Sequence, residues 1–423
     1  MVRPLMSDAS PPSEETSLRA LLRQRDFVFF WFSRWTAVLG VQIQSVALGW
    51  QIYELARQTM DVKRAAFMVS LIGLVSFIPV LLLALPAGET ADRHNRKAIM
   101  LACFAGEIAT VAVLTAAAFF GFATIPLLLS VAFVFGTSRA FFAPASTALG
   151  PMLVPRALLP RAIAWQSLAW QTASIGGPAL GGILVAISPA HSFGTALVLY
   201  VIAVICLLMI RGSTSPEVQP GSRWTLMKEG LGYVWRNKIV FGSISLDLFA
   251  VILGGATALL PVFAKDVLHV GPEGFGLLRA SPAAGAALVA FYLAGNPIKS
   301  KAGIAMFTGV AIFGAATIVF GLSKSLWLSV AALATLGGAD MISVYIRQTL
   351  VQLVTPDHMR GRVATVSSLF IGASNELGEF ESGVVARFLG PVGAAIFGGI
   401  GALIVTGTWA KLFPALRKAD RLE

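Results

Sequence analysis

Long apolar runs separated by short polar breaks set the rhythm of this chain. They fall near residues 27–52, 65–86, 98–120, 125–150, 162–187, 193–210, 239–263, 274–295, 303–322, 326–347, 363–388 and 392–412. Each is about as long as a helix must be to cross a hydrocarbon layer of about 30 Å, and none shows the period-2 alternation of a barrel strand. Backbone groups in lipid must be satisfied within their own segment or in a closed barrel. The pattern therefore predicts an all-α polytopic membrane protein with twelve transmembrane helices. The one long polar connection, Arg211 to Lys238, divides the runs six and six. The predicted organisation is a polar tail (1–26), a six-helix bundle (27–211), a linker (212–238), a second six-helix bundle (239–413) and a short tail (414–423).

Composition supports this class, with 56% hydrophobic residues, 13% charged and a mean hydropathy of +0.78. A net charge of +11 would suggest nucleic acid in a soluble protein. Here the Lys and Arg crowd the termini and every second loop (Arg93, Arg96, Lys97, Arg223, Lys228, Arg360, Arg362), so topology accounts for them and no nucleic-acid partner is expected. The positive-inside rule places both termini and the central linker in the cytoplasm. The stretch "SDASPPSEETS" lacks the basic region and cleavage site of a secretory signal, so the N-terminal tail is expected to stay attached. Cys103 and Cys206 each lie alone in an apolar run, which predicts buried thiols and neither a disulfide framework nor a metal site. His94, His191, His269 and His358 are scattered through loops. No cofactor is expected.

The densest charge is the break Gly88-Glu-Thr-Ala-Asp92-Arg93-His-Asn-Arg96-Lys97, read as a tight turn between the second and third runs. The halves echo one another there: "LPAGETADRHNRKAIM" is similar to "YLAGNPIKSKAGIAM" roughly 200 residues on, as in repeats that place a substrate site at their interface near mid-membrane. The second copy has Lys299 where Asp92 would stand. Gly88, Asp92, Arg93, Arg96 and Lys97 match, position by position, the Gly-x-x-x-Asp-Arg-x-x-Arg-Arg/Lys signature of the major facilitator superfamily, which the chain resembles over essentially its whole length. Within it, "FFAPASTALGPMLVP" and "TPDHMRGRVATVSSLFIGASNELGEFESG" are similar to the bacterial exporter branch that includes the enterobactin exporter. The resemblance implies two pseudo-symmetric bundles working by alternating access. It also implies that the turn latches the cytoplasmic side, with Asp92 facing a helix N-terminus, that of the eleventh helix, and Arg93 and Arg96 adding ion pairs. Gly177, Pro178, Gly181 and Gly182 in the fifth run resemble the family's antiporter motif. Physically, the proline gives a kink or hinge and the glycines close helix contact; a packing groove without bearing on transport direction fits as well.

Ionisable residues inside apolar runs cost several kcal/mol unless paired or hydrated, so they are the next candidates. Arg34 and Asp247 occupy equivalent places in the first and seventh runs, and Arg139 and Asp340 in the fourth and tenth. Two guanidiniums facing two carboxylates across a central path predict ion pairs between the halves, exchanged as these rock; alternatively the arginines, Arg34 above all, snorkel to the surface. Glu376 and Glu379 in the eleventh run share a helix face and could share a proton, which suits proton coupling, as could Asp247 and Asp340; a structural hydrogen-bonded cluster is the other reading. Glu107 and Arg279 read as scaffold. Gln42, Gln166, Gln44, Gln51 and Gln171, with Trp50, Trp165 and Trp170, could contact a substrate or anchor the interface.

No Gly-x-x-x-x-Gly-Lys-Ser/Thr loop is present, which favours an ion gradient over ATP. No His-Glu-x-x-His or Gly-x-Ser-x-Gly sequence supports a membrane enzyme. The expected function is secondary active export of a small organic molecule, such as a siderophore or drug, by proton antiport, with proton-symport uptake as the alternative. The expected partners are the substrate, protons and the lipid of a bacterial inner membrane, with a monomer as the default.

Overall fold

The computed structural model describes residues 18–212, Thr214 and 223–420. Most of the predicted N-terminal tail, much of the central linker and residues 421–423 lie outside the described residues.

A short helix α1 (Leu18–Leu22) precedes α2 (Arg25–Arg57), α3 (Val62–Arg93), α4 (Arg96–Phe120), α5 (Ile125–Leu149), α6 (Leu159–Ile187) and α7 (Pro189–Leu208). Local chemistry starts and stops them. The Asp61, Asn95, Thr124 and Ser188 side chains accept from the backbone N–H of Arg64, Ala98, Leu127 and Ala190. They satisfy donors that a helix start leaves open. Gly121, at φ 76°, closes α4 in the left-handed conformation that glycine adopts without steric cost.

The linker is more structured than its polarity suggested. It forms an amphipathic helix α8 (Arg223–Arg236). This helix docks on the second half through Val234 beside Val363 and Val366, and through the Tyr233 hydroxyl donating to the Val354 carbonyl at 2.8 Å.

The seventh apolar run is not one helix. α9 (Lys238–Leu253) ends at the Gly254-Gly255 pair, followed by a 3₁₀ turn (Ala256–Leu259), a single turn α10 (Leu260–Val262) and a π-helical turn (Phe263–Val267). The break has a packing cause: a Cβ at Gly255 would sit 2.3 Å from the Gly378 carbonyl carbon. Then come α11 (Gly271–Gly295), α12 (Ala302–Leu322), α13 (Leu326–Val354), α14 (Asp357–Leu412) and α15 (Pro414–Arg417). Within α14 the backbone leaves the helix at Gly390 (φ 77°, ψ 170°), immediately before Pro391. This is where the last two apolar runs were separated. The C-terminal tail folds back, with the Lys301 N–H donating to the Asp420 carboxylate at 2.8 Å.

By length and composition, ten of these helical stretches could cross a membrane. In the first half α2 packs on α6 and α7, α3 on α5, and α4 on α5 and α7; in the second, α11 packs on α13, α12 on α13 and α14, and α9 on α14. The most extensive contacts between the halves are α3 with α14 and α6 with α11, and α2 also touches α10 and α11. Large apolar side chains such as Phe119, Phe291 and Trp327 are 75%, 85% and 72% exposed, as suits a surface facing lipid rather than water.

Candidate functional site

Helix α14 meets the first half along α3 because Gly73 has no side chain: a Cβ there would lie 3.1 Å from the Glu376 carbonyl and 3.2 Å from the Glu379 Cβ. Two carboxylates on one face of α14 are thereby set between the halves. Arg139 of α5 reaches across to Glu376, Nη1 to Oε1 at 2.6 Å. Arg279 of α11 lies 3.8 Å from Glu379, whose Oε1 also lies 3.5 Å from the Thr257 hydroxyl. These four residues, with Gln42, Gln44, Ser45, Gly73 and Ser76, line a cavity of about 160 Å³. Of the four charges only Arg139 belongs to the first half, so Arg139–Glu376 is the ion pair that bridges the halves at this level.

Arg139 thus meets Glu376 rather than either of the expected aspartates, and the expected pairs of Arg34 and Arg139 with Asp247 and Asp340 are not made. Asp247 does not face an arginine of the first half; it pairs with Arg347 of α13, both side chains almost wholly buried at 7% and 3% exposure. Arg34 donates to the Ser146 hydroxyl in its own half. Asp340 faces the interior of the second half, on the wall of a separate cavity of about 340 Å³ that Glu379 also lines. Gln166 packs against Gly150, the residue after α5, and lines neither cavity. Gln171 instead crosses the interface, donating to the Ala283 carbonyl at 2.7 Å. Glu107 is buried in α4, and Trp50 stacks on Phe275 across the halves.

Arg347 was missed because α13 runs on past residue 347 to Val354, which puts this arginine inside the helix rather than at its end. The seven-residue spacing from Asp340, which returns to the same helix face, was the available signal.

The signature break is less of a turn than expected. Gly88 to Arg93 continue α3 as helix, and only His94 and Asn95 separate α3 from α4. Arg93 pairs with Glu89 on its own helix at 2.7 Å. Arg96 makes no ion pair among the described residues; it donates to the Ala91 and Ala148 carbonyls, while Lys97 donates to those of Leu208 and Ile210. Both therefore satisfy open carbonyls near helix C-termini of the first half. Asp92 is half-buried at the end of α3. In the second half the corresponding Lys299 lies in a loop beyond the end of α11.

The opposite end of the molecule carries ties that the sequence did not disclose. Arg57 pairs with Asp266 at 3.3 Å, Tyr53 donates to the same carboxylate, and Lys265 pairs with Glu54 at 2.6 Å. Lys63 donates to the Phe388 carbonyl at 3.0 Å. The π-helical turn sets Lys265 and Asp266 on consecutive residues facing α2.

The glycines of α6 pack on both sides. The helix continues through Pro178. Gly181 abuts Val46 and Ile43 of α2, and Gly182 lies against Pro272 and Gly276 of α11.

A helical membrane protein whose sequence halves meet around a charged cavity, and whose signature break joins α3 to α4, is a membrane transporter of the major facilitator superfamily and not an enzyme. Within it, the profile of the transmembrane secretion effector family matches residues 16–423, and the chain belongs to that family. It is 26% identical over 413 residues to an uncharacterised MFS-type transporter of Bacillus subtilis, with 95% of each chain covered. It is 25% identical over 403 residues to the multidrug efflux pump Tap of Mycobacterium tuberculosis (92% of this chain, 93% of that one). It is 26% identical over 384 residues to the enterobactin exporter of Citrobacter koseri (88% of each). Among solved structures, a POT family transporter in complex with 5-aminolevulinic acid superposes with a TM-score of 0.74 at 13% identity, covering 93% of this chain and 96% of that one. That likeness bears on the fold alone.

Proposed function

We propose that this protein is a proton-coupled exporter of a small organic molecule, built as two six-helix bundles of twelve spans in a bacterial inner membrane, with both termini cytoplasmic. Helix α2, at 33 residues, supplies a span beyond the ten apolar stretches, and the break at Gly390 divides α14 into two. Export is favoured because the named relatives include an efflux pump and an exporter.

The observation that carries the mechanism is the Arg139–Glu376 pair. A charged Glu376 holds Arg139 and keeps the halves together at mid-depth. A proton on Glu376 removes the charge that Arg139 bonds and weakens this tie, so one proton moves the equilibrium between closed and open arrangements. The ties among Tyr53, Glu54, Arg57, Lys265 and Asp266 hold shut the end that the positive-inside rule makes periplasmic, so the described arrangement is closed on that side. Asp92 belongs to the alternate latch on the cytoplasmic side.

Proteoliposomes with an imposed pH gradient test the reading. Glu376→Gln is expected to abolish gradient-driven transport while leaving equilibrium exchange of substrate, and Asp92→Asn to slow turnover with substrate affinity retained. Gradient-driven transport at the native rate in Glu376→Gln would remove Glu376 from the coupling.

A further inference from the structure

We propose that the 340 Å³ cavity inside the second half is a binding pocket for an organic cation with an apolar body; this rests on the transporter reading and names the ligand chemistry it left open.

The cavity lies between the broken seventh segment, α11, α13 and α14. Glycines at 254, 255 and 337 line it, and at 255 and 337 they let the backbone pack directly against Gly378 and Pro282. A volume of about 340 Å³ falls within the usual range for small-molecule sites. The wall is mostly apolar, with Phe313 presenting a ring and Leu333 and Leu336 aliphatic surface. Two carboxylates interrupt it, Asp340 and Glu379, and no Lys or Arg lines it.

The charge balance is one-sided for a structural reason. Arg347, the buried base of α13, makes its contact pair with Asp247 and acts on Asp340 only from beyond ion-pair distance, and among the described residues Asp340 has no hydrogen bond or ion pair of its own. At the other end Arg279 holds Glu379 only at 3.8 Å, from the side of the smaller cavity. A cation between these acids would pair with Asp340, compete with Arg279 for Glu379 and lay its apolar part against Phe313, whose ring face also favours positive charge. An anion would meet two like charges in a low-dielectric space. Because Glu379 lines both cavities and shares its helix face with Glu376, a ligand that draws on Glu379 acts next to the bridging pair. Occupancy and the coupling proton are thereby linked.

The test is equilibrium binding to the full chain in lipid nanodiscs, using three probes of similar size: benzyltriethylammonium, 4-tert-butylbenzyl alcohol and 4-tert-butylbenzoate. The cation is expected to bind at least about tenfold more tightly than the other two. Asp340→Asn and Glu379→Gln should each weaken it by about tenfold, and the exposed Glu273→Gln should not. Equal binding of alcohol, benzoate and cation, or a cation affinity unmoved by both substitutions, would overturn the proposal. The probe comparison uses the native chain, so it decides even if a substituted chain fails to fold. Gradient-driven transport of a neutral or anionic compound alone would overturn the cation pocket while leaving proton-coupled export standing.

Discussion

The buried charges divide by what each can afford to lose. Arg347 and Asp247 are shut away together, so removing one leaves the other as an uncompensated charge in a medium that solvates it poorly. Arg347→Met is therefore expected to destabilise the protein by about 3 kcal/mol. The double substitution with Asp247→Asn should recover most of that loss, as read from unfolding midpoints in detergent; a double variant no better than the single one would mean the pair is not what fixes Arg347. Arg139–Glu376 is different in kind, because Arg139 is 42% exposed towards a cavity and its partner sits on the other half. The sequence identified all these residues except Arg347 as unusual, since a charge in an apolar run is conspicuous. It could not assign partners. Pairing depends on helix rotation to within a fraction of a turn, and the equivalence of Arg34 with Asp247 and of Arg139 with Asp340 suggested a symmetric set of bonds that packing does not realise.

At the level of elements, small residues decide where helices approach. Gly182 of α6 and Gly276 of α11 are in mutual contact, so that a Cβ on either would fall 2.8 Å from the other's Cα. Gly176, on the same helix, has nothing within 4 Å of the corresponding position. Gly182→Val should force α6 from α11 and abolish most transport, whereas Gly176→Val should leave it near normal; similar rates for both in proteoliposomes would show that this contact is not needed for the cycle. The Gly-Pro-x-x-Gly-Gly pattern was legible, and of its two readings the packing role is visible directly. The Gly254-Gly255 pair was equally present in the sequence, yet a run of apolar residues reads as continuous helix. Only the approach of the Gly378 backbone shows why the chain unwinds there.

For the whole molecule, the ties at the Arg57 end and the bridge at Arg139 form two levels of attachment between the halves. Lys265→Glu would set a like charge opposite Glu54 and should shift the population towards the arrangement open at that end. Combining it with Glu54→Lys should restore the native distribution, as measured by maleimide labelling of Lys63→Cys in a chain lacking Cys103 and Cys206. Labelling that ignores the reversal would show that these ions do not hold the end closed. High salt should weaken the ties at this partly exposed site more than the Arg347–Asp247 pair. The all-helical membrane class, most segment boundaries and the special status of the Gly88 to Lys97 break followed from sequence by itself, because lipid demands long uninterrupted apolar helices and makes every charge an exception. The partner of each charge, the helix in the linker, the break in the seventh segment and the acidic cavity of the second half were decided only by the tertiary structure. Each is a relation between surfaces far apart in the chain, set by how helices rotate and how closely glycines let them pack.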